Sequence, residues 1–249
     1  MKLFFFIFAA TFVLLGCTSQ TRPDFSTPQK TATAYYRALI NEDGQLLIAC
    51  TDTRDDAIKT IVTAWGATLD AYRHYGNAAK KKFGNVDDYS LPSNKNREFL
   101  AKLMSLMPQA KVTIKVDHAE LVPVLPPDSD LAQHGMAMFA EGGELDMFKM
   151  AFIKIDGEWQ LRLPDLGGGF QVQTDASVRI QADAQLVVAK AIETFLADFD
   201  KQNFQNEHEA FAALNAVRNK AMDDWRAEKA RTREATQPAT PPATTPPSQ

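Results

Sequence analysis

Asp70 and His74 are the two residues of this chain whose types and spacing come closest to acid–base chemistry. They stand four positions apart in a segment with helical periodicity, with Tyr75 beside them, so a carboxylate there can orient an imidazole as a general base. Both residues flank the apolar stripe around Trp65 instead of continuing it. A surface ion pair is therefore the favoured interpretation, and the two residues remain weak acid–base candidates.

No other pattern in the sequence predicts catalysis or a cofactor. There is no nucleophile elbow or Ser-His-Asp set, and no His, Cys or carboxylate spacing is typical of a metal site. The glycine run at 167–169 lacks the lysine and serine of a phosphate-binding loop, so it is interpreted as a linker. His118, His134 and His208 are expected to be exposed. We expect no catalytic residue, no metal and no cofactor.

The chain is mildly acidic and has few cysteines. Its 249 residues carry a formal net charge of −4, and its two cysteines are Cys17 and Cys50. Such a chain has no electrostatic reason to bind nucleic acid or anionic lipid, and we expect neither. Its length suffices for a sizeable core, in one large domain or in one domain with a helical extension. Nothing in the composition indicates an oligomeric state.

The N-terminal segment is predicted to be a targeting signal and not part of the folded domain. The apolar run Leu3–Leu15 is too short to span a bilayer but suits the core of a signal peptide. It ends in Leu14–Cys17, which resembles the bacterial lipoprotein signal. The resemblance implies removal of residues 1–16 and acylation of Cys17, with the bilayer as a partner through the lipid. The alternative is an ordinary secretory peptide with an incidental cysteine.

The same resemblance predicts a cell-envelope location. Thr18 after the cysteine, instead of aspartate, favours the outer membrane with the domain facing the periplasm; the inner membrane and the cell surface are the alternatives. The tether, residues 17–26, reaches about 35 Å when fully extended, so the domain should lie close to the membrane. Lipidation would leave Cys50 alone, which excludes a disulfide within one chain.

Four helices are predicted before the sheet. Thr27 and Pro28 supply a capping hydroxyl and a proline for the first helix, which should end near Ile40. A short helix at 45–50 follows. The segment Thr51–Thr53 is expected to cap a long third helix, and a fourth should cover 93–107. The third helix should bury one stripe, namely Ile58, Ile61, Val62, Trp65, Leu69, Tyr72, Ala79 and Phe83.

Two local sequence signals predict where the third helix ends. Gly84 suits the left-handed position that ends a helix. Lys80–Lys82 in the last turn suit the negative end of the helix dipole, and we interpret them as solvated. Contact of this triple lysine with phospholipid is the alternative, given the short tether.

From residue 111 onward the hydrophobic period changes to two, which predicts an antiparallel meander of about five strands. Strands are expected at 111–116, 119–125 and 135–140, followed by the hairpin 147–163. Asp156-Gly157 predicts a type I′ turn, which fixes the register so that Phe152 faces Leu161 and Lys154 faces Trp159. One hairpin face should form a core, and it comprises Met150, Phe152, Trp159, Leu161 and Leu163. The other should be partly covered or line a cavity.

The first part of the chain resembles the nuclear transport factor 2-like superfamily of cone-shaped, SnoaL-like α+β domains. The matching residues are Thr27–Pro28, Ala38, Asp43-Gly44 and Ile153–Leu161, within 27–165. The resemblance implies N-terminal helices packed on a curved antiparallel sheet that encloses a pocket. Candidate pocket-lining residues are Tyr36, Trp65, Tyr72 and Trp159. The superfamily's acid–base positions match no residue here, so none is carried over.

The remainder of the chain is predicted to be helical and then disordered. Residues 166–180 are interpreted as a linker and 181–234 as a helical extension, a hairpin on the open face of the sheet. The Pro/Thr-rich residues 235–249 contain no core former and are expected to be a disordered tail.

Three functions stay open from the sequence. The favoured one is a non-enzymatic, membrane-anchored envelope lipoprotein that binds a small apolar ligand or another envelope protein. The second is a structural or assembly factor that acts through the C-terminal helices. The third is an isomerase or hydrolase of the cone fold.

Overall fold

The fold is α+β and is given by a computed structural model that describes residues 23–84, 94–126, 144–145, 148–163 and 175–236. Six α-helices, two short 3₁₀ helices (Met107–Gln109 and Phe199–Lys201) and four strands lie in this part of the chain. The helices are α1 (Pro28–Ile40), α2 (Gly44–Ala49), α3 (Asp56–Phe83), α4 (Asn94–Leu106), α5 (Asp175–Ala197) and α6 (Glu207–Thr236). The strands are β1 (Lys111–Lys115), β2 (His118–Val122), β3 (Met150–Ile155) and β4 (Glu158–Leu161).

The start of α1 is confirmed, but that of α3 differs from the prediction. Thr27 Oγ1 accepts a hydrogen bond from the Lys30 N–H, and Pro28 is the first helical residue. Helix α3 is capped by the Asp55 side chain and not by residues 51–53. The reason is tertiary pairing: the Asp52 N–H donates to the Leu161 carbonyl at 2.8 Å, which keeps this segment extended along β4.

The hairpin prediction is confirmed. In the antiparallel sheet, ordered β1-β2-β3-β4, Phe152 pairs with Leu161 and Lys154 with Trp159. Asp156 and Gly157 have φ values of 49° and 88°, as a type I′ turn requires. The predicted core face is buried. The predicted strand at 135–140 lies outside the described residues.

The β1–β2 end of the sheet departs from the expected pattern. The turn falls at Val116 and Asp117, one residue early, with Val116 at φ 56°. Strand β1 forms a sheet edge in the described part of the chain, and the predicted alternation along it does not produce a buried face. Ile114 is 57% exposed and Val116 94% exposed. Strand β2 ends at Val122, because Pro123 has no N–H to continue the ladder.

A first hydrophobic core lies between the sheet and the helices that precede it. Helices α1 and α4 and the first half of α3 contribute to it, together with the N-terminal end of α5. An ion pair between the buried Glu42 and the partly exposed Arg97, at 3.3 Å, joins the α1–α2 turn to α4. The largest fully buried side chains of this core are Leu47, Leu103, Met107, Leu121, Leu145, Met150, Phe152, Leu161 and Leu163.

A second core forms where the C-terminal helices meet the second half of α3. Tyr75 lies at its centre, with ring centroids 5.8 Å from Phe199 and 6.3 Å from Phe195. The extension therefore packs on α3, and its predicted position on the open sheet face is wrong. Helix α5 also begins at Asp175, so the predicted linker 166–180 is too long. The start of α6 is confirmed, since Asn206 Oδ1 accepts from the Glu209 N–H.

Lys82 anchors the second core at the end of α3. Its Nζ donates to the carbonyls of Phe199 and Gln202 at 2.8 and 2.5 Å and lies 5.1 Å from the Phe199 ring centroid. The prediction that Lys80–Lys82 are all solvated holds for Lys80 and Lys81, which are exposed, but is wrong for Lys82.

Candidate functional site

Asp70 holds α2 against α3. Its Oδ1 accepts the Gly44 N–H at 3.1 Å, at the positive end of α2, and also pairs with Arg73 at 2.6 Å. At this crossing a Cβ on Gly44 would lie 2.1 Å from the Gly66 carbonyl oxygen, so the two backbones touch. Asp70 thus has a structural role that follows from its position beneath α2.

His74 does not pair with Asp70. Its Nδ1 lies 2.7 Å from Glu193 Oε1 on α5, and both side chains are about half exposed. The neighbouring Tyr75 is fully buried, and burial together with the nearby Glu207 charge raises its pKa to about 12. The predicted Asp70–His74 ion pair is therefore wrong, and the two weak acid–base candidates point to different partners.

The four aromatic residues that were predicted to line one pocket lie in two different hydrophobic cores. Tyr36 and Trp159 are buried in the first core, and Trp65 packs against it. Tyr72 packs against the second core, where its hydroxyl accepts from Arg218 on α6 at 2.5 Å. Lys154 Nζ lies 5.7 Å from the Trp159 ring centroid, as the hairpin register predicts. Helix α3 carries Trp65 and Tyr72 into different cores.

An open cleft of about 530 Å³ lies beside Pro23, the first residue that the structure describes. We call it the tether groove. Helix α1 contributes Arg37 to its lining, and α3 contributes Arg73. Helix α2 with its cap contributes Asp43 and Leu46, and Pro23 also lines the groove. A second cleft of about 290 Å³ shares Pro23, Arg37 and Leu46 and continues the groove along α1. The groove is therefore formed by three helices and the first described residue.

The tether groove carries charges of both signs. The Asp43 side chain accepts the Leu46 N–H at 2.9 Å and so caps α2. Further along, Lys30 pairs with Asp24 at 2.6 Å, and the Lys30 hydrogen bond holds the pKa of Asp24 well below its usual range. This arrangement of positive and negative side chains suits a ligand that carries both an anionic oxygen and a positively charged group.

A second surface lies on the C-terminal helices. Ile180 and Leu186 on α5 are 45% and 46% exposed, and Val217 on α6 is 37% exposed. An open cleft of about 380 Å³, lined by Val187 and Trp225 among others, lies between the same two helices. We call these five residues the hairpin surface.

The sequence pattern predicted some residues of these two surfaces but not the others. Val217 and Trp225 stand in the apolar stripe that defines α6, so the helical pattern already indicated them. Arg37 and Arg73 are 36 positions apart, and only the packing of α2 against both α1 and α3 brings them to one groove. Between α1 and α2 the chain reverses at Asn41 and Glu42, the latter with φ 52°, and Asp43 then caps α2.

Several predicted features lie outside the described residues or are only partly described. Cys17, His134 and the tail from residue 237 are outside them, whereas α6 extends two residues past its predicted end at 234. His118 and His208 are exposed, as predicted. Within the described ranges, no group of three or more His, Cys, Asp or Glu is arranged to hold a metal ion. No helix among them combines the length and apolar composition needed to cross a membrane.

The fold defines an α+β protein in which a helical hairpin packs on the longest helix of the sheet domain. No protein-family model, curated protein or solved structure matches the chain. The resemblance to the nuclear transport factor 2-like superfamily therefore stays a prediction from the sequence.

Proposed function

We propose that this chain is a non-enzymatic lipoprotein of the bacterial cell envelope, anchored through Cys17, that binds another envelope protein through the hairpin surface. The observation that carries the proposal is the exposure of Ile180, Leu186 and Val217 on the same two helices that form the Trp225 cleft. Exposed apolar side chains and a half-buried tryptophan on one helical hairpin are typical of protein-binding surfaces.

The weak attachment of α6 supports the same function. This helix has 30 residues, yet among its described side chains, at 207–232, only Ala210 and Leu214, both in its first turns, are buried. Phe211, also near its start, packs on Tyr75 with ring centroids 6.4 Å apart. Further along, the helix is joined to its neighbours by polar contacts, such as Arg218 to the Tyr72 hydroxyl and Lys229 to Asp183 at 2.9 Å. Most of α6 therefore contributes little to the core and keeps its side chains accessible to a partner.

Two further observations favour protein binding over the other functions considered. The aromatic residues predicted to line an apolar pocket are divided between two packed cores, which disfavours a small apolar ligand. Asp70 and His74 bond to Arg73 and Glu193 instead of to each other, which disfavours acid–base catalysis by this pair.

Site-specific photo-crosslinking in the native envelope tests the proposal. A photoreactive residue at position 186 or 217 should give one discrete adduct with the same partner, identified by mass spectrometry. Position 101 on α4, also exposed, is the control and should not give that adduct.

Charge substitution supplies the matched comparison. Val217→Asp should abolish the adduct formed from position 186, because a carboxylate is costly to desolvate at an apolar interface. Val116→Asp, at a residue 94% exposed on the sheet edge, should leave it unchanged. Adducts of equal yield from all three positions, insensitive to Val217→Asp, would exclude the hairpin surface as the binding site.

A further inference from the structure

The larger cleft of the tether groove is lined by two cations and one anion with different local roles. Arg37 is exposed, and no partner for its guanidinium is found among the described residues. One guanidinium nitrogen of Arg73 donates a hydrogen bond to Asp70, so the other N–H groups of the same guanidinium remain available to a ligand. Asp43 uses Oδ1 to cap α2, so Oδ2 remains as an acceptor. The groove thus offers donors for an oxyanion and an acceptor for an ammonium group.

We infer that the tether groove binds the phosphoethanolamine headgroup of a phospholipid. Guanidinium groups bind phosphate through paired, charge-assisted hydrogen bonds, which assigns the phosphate to Arg37 and Arg73. The primary ammonium has three N–H donors, which assigns it to the Asp43 carboxylate. A purely anionic headgroup would leave Asp43 facing negative charge, and a purely cationic ligand would meet two arginines.

The position of the groove is the reason for choosing a lipid over a free solute, and this step rests on the proposed anchor at Cys17. Pro23 lines the groove and follows Cys17 by six residues, which span at most about 20 Å. The groove would therefore lie next to the headgroup layer. The side chains of Leu46 and Ala49 add apolar lining beside the charged groups, as suits the glycerol end of a phospholipid.

The test is a calorimetric titration of the full-length protein, purified in a non-ionic detergent, with short-chain lipids. Dihexanoyl phosphatidylethanolamine should bind about tenfold more tightly than dihexanoyl phosphatidylcholine, whose trimethylammonium has no N–H for Asp43. It should also exceed dihexanoyl phosphatidylglycerol, which has no ammonium. Equal affinity for the three lipids, or complete displacement of the lipid by millimolar inorganic phosphate, would overturn the inference.

Three substitutions assign the contacts. Arg37→Gln and Arg73→Gln should each weaken phosphatidylethanolamine binding about tenfold, the usual effect of losing a charge-assisted bond. Asp43→Asn keeps a good helix cap but removes the charge, so it should abolish the preference for ethanolamine over glycerol. Lys190→Gln, at an exposed cation on α5, is the control and should bind as the wild type does. Unchanged lipid binding in all three groove variants would overturn the assignment.

The proposed lipid anchor at Cys17 and the proposed lipid-binding site in the tether groove are tested by separate measurements. The short-chain lipids are soluble, so their binding does not depend on acylation of Cys17, which palmitate labelling reports independently. Labelled protein that binds none of the lipids would reject the groove and leave the anchor in place. Unlabelled protein that still selects phosphatidylethanolamine would support the groove and reject the anchor.

Discussion

The two larger hydrophobic cores in the described part of the chain depend on different kinds of interaction. The first is a sheet covered by helices, and its register follows from one local signal, the Asp156-Gly157 turn, and from strict alternation along β3 and β4. The second is made of helices and aromatic rings that come from distant parts of the chain, as with Tyr75 and Phe199. Local patterns determine the first core, whereas packing between distant segments determines the second.

Helix α3 shows the difference within one element. In its first half the large apolar residues Ile58, Ile61 and Val62 are buried, as the periodicity predicts. Beyond residue 64, Ala79 is buried as predicted, but Leu69 and Tyr72 of the predicted stripe are only partly buried. Ala71 and Tyr75, which lie outside that stripe, are fully buried instead. Small residues let α5 approach closely, as the hydrogen bond from Thr68 Oγ1 to the Gln185 carbonyl shows. The side chains that pack best there are not the most hydrophobic ones.

Removal of one large side chain from each core tests whether the two cores unfold together. Trp159→Ala and Phe199→Ala should each lower the free energy of unfolding by about 3 to 5 kcal/mol. Because α3 passes through both cores, each variant should still unfold in a single transition in urea, followed by circular dichroism and by fluorescence.

The control for both variants is Val116→Ala, at a residue 94% exposed, and it should stay within about 0.5 kcal/mol of the wild type. Two separate transitions in Phe199→Ala would mean that the second core folds independently. An unchanged melting temperature in Trp159→Ala would contradict the assignment of the hairpin faces.

The contact of α2 with α3 should be the next most sensitive feature. Gly44→Ala places a methyl group 2.1 Å from the Gly66 carbonyl oxygen, so the helices must separate, and we expect a loss of about 2 kcal/mol from overpacking. Gly84→Ala has open space around its Cβ but a positive φ, so it should cost only about 1 kcal/mol. Thermal denaturation of both variants gives the comparison, and equal losses would contradict the close approach.

Lys82 is a smaller contribution to the second core. Lys82→Met keeps the apolar stem but removes the bonds to the Phe199 and Gln202 carbonyls, and should cost about 1 to 3 kcal/mol. Lys80→Met, two residues earlier and exposed, should cost almost nothing. If chemical denaturation gives the same small change for both, Lys82 is a solvated residue, as the sequence alone indicated.

The smallest effects are expected at the former acid–base candidates. Asp70→Asn loses the Arg73 pair and weakens the acceptor for the Gly44 N–H, at a cost of about 1 kcal/mol. His74→Gln removes only a half-exposed pair with Glu193 and should cost less than about 0.5 kcal/mol. A larger loss of stability in the histidine variant than in the aspartate variant would reverse the roles assigned here.

The sequence predicted those parts of the molecule that depend on neighbours along the chain. The Thr27 cap, the type I′ turn and the buried hairpin face follow from residues within a few positions of one another. The start of α3 could not be predicted, because residues 51–53 look like a cap until β4 pairs with them. For the same reason the tether groove could not be found, since it requires α1, α2 and α3 to be placed together.

The anchor at Cys17 is the claim that most directly determines where this protein acts, and palmitate labelling tests it. Wild-type protein expressed in bacteria should incorporate radioactive palmitate and migrate at the size of a chain without residues 1–16. The Cys17→Ser variant should incorporate none and accumulate as the uncleaved precursor. A serine variant that is still cleaved and stays membrane-bound would contradict the account.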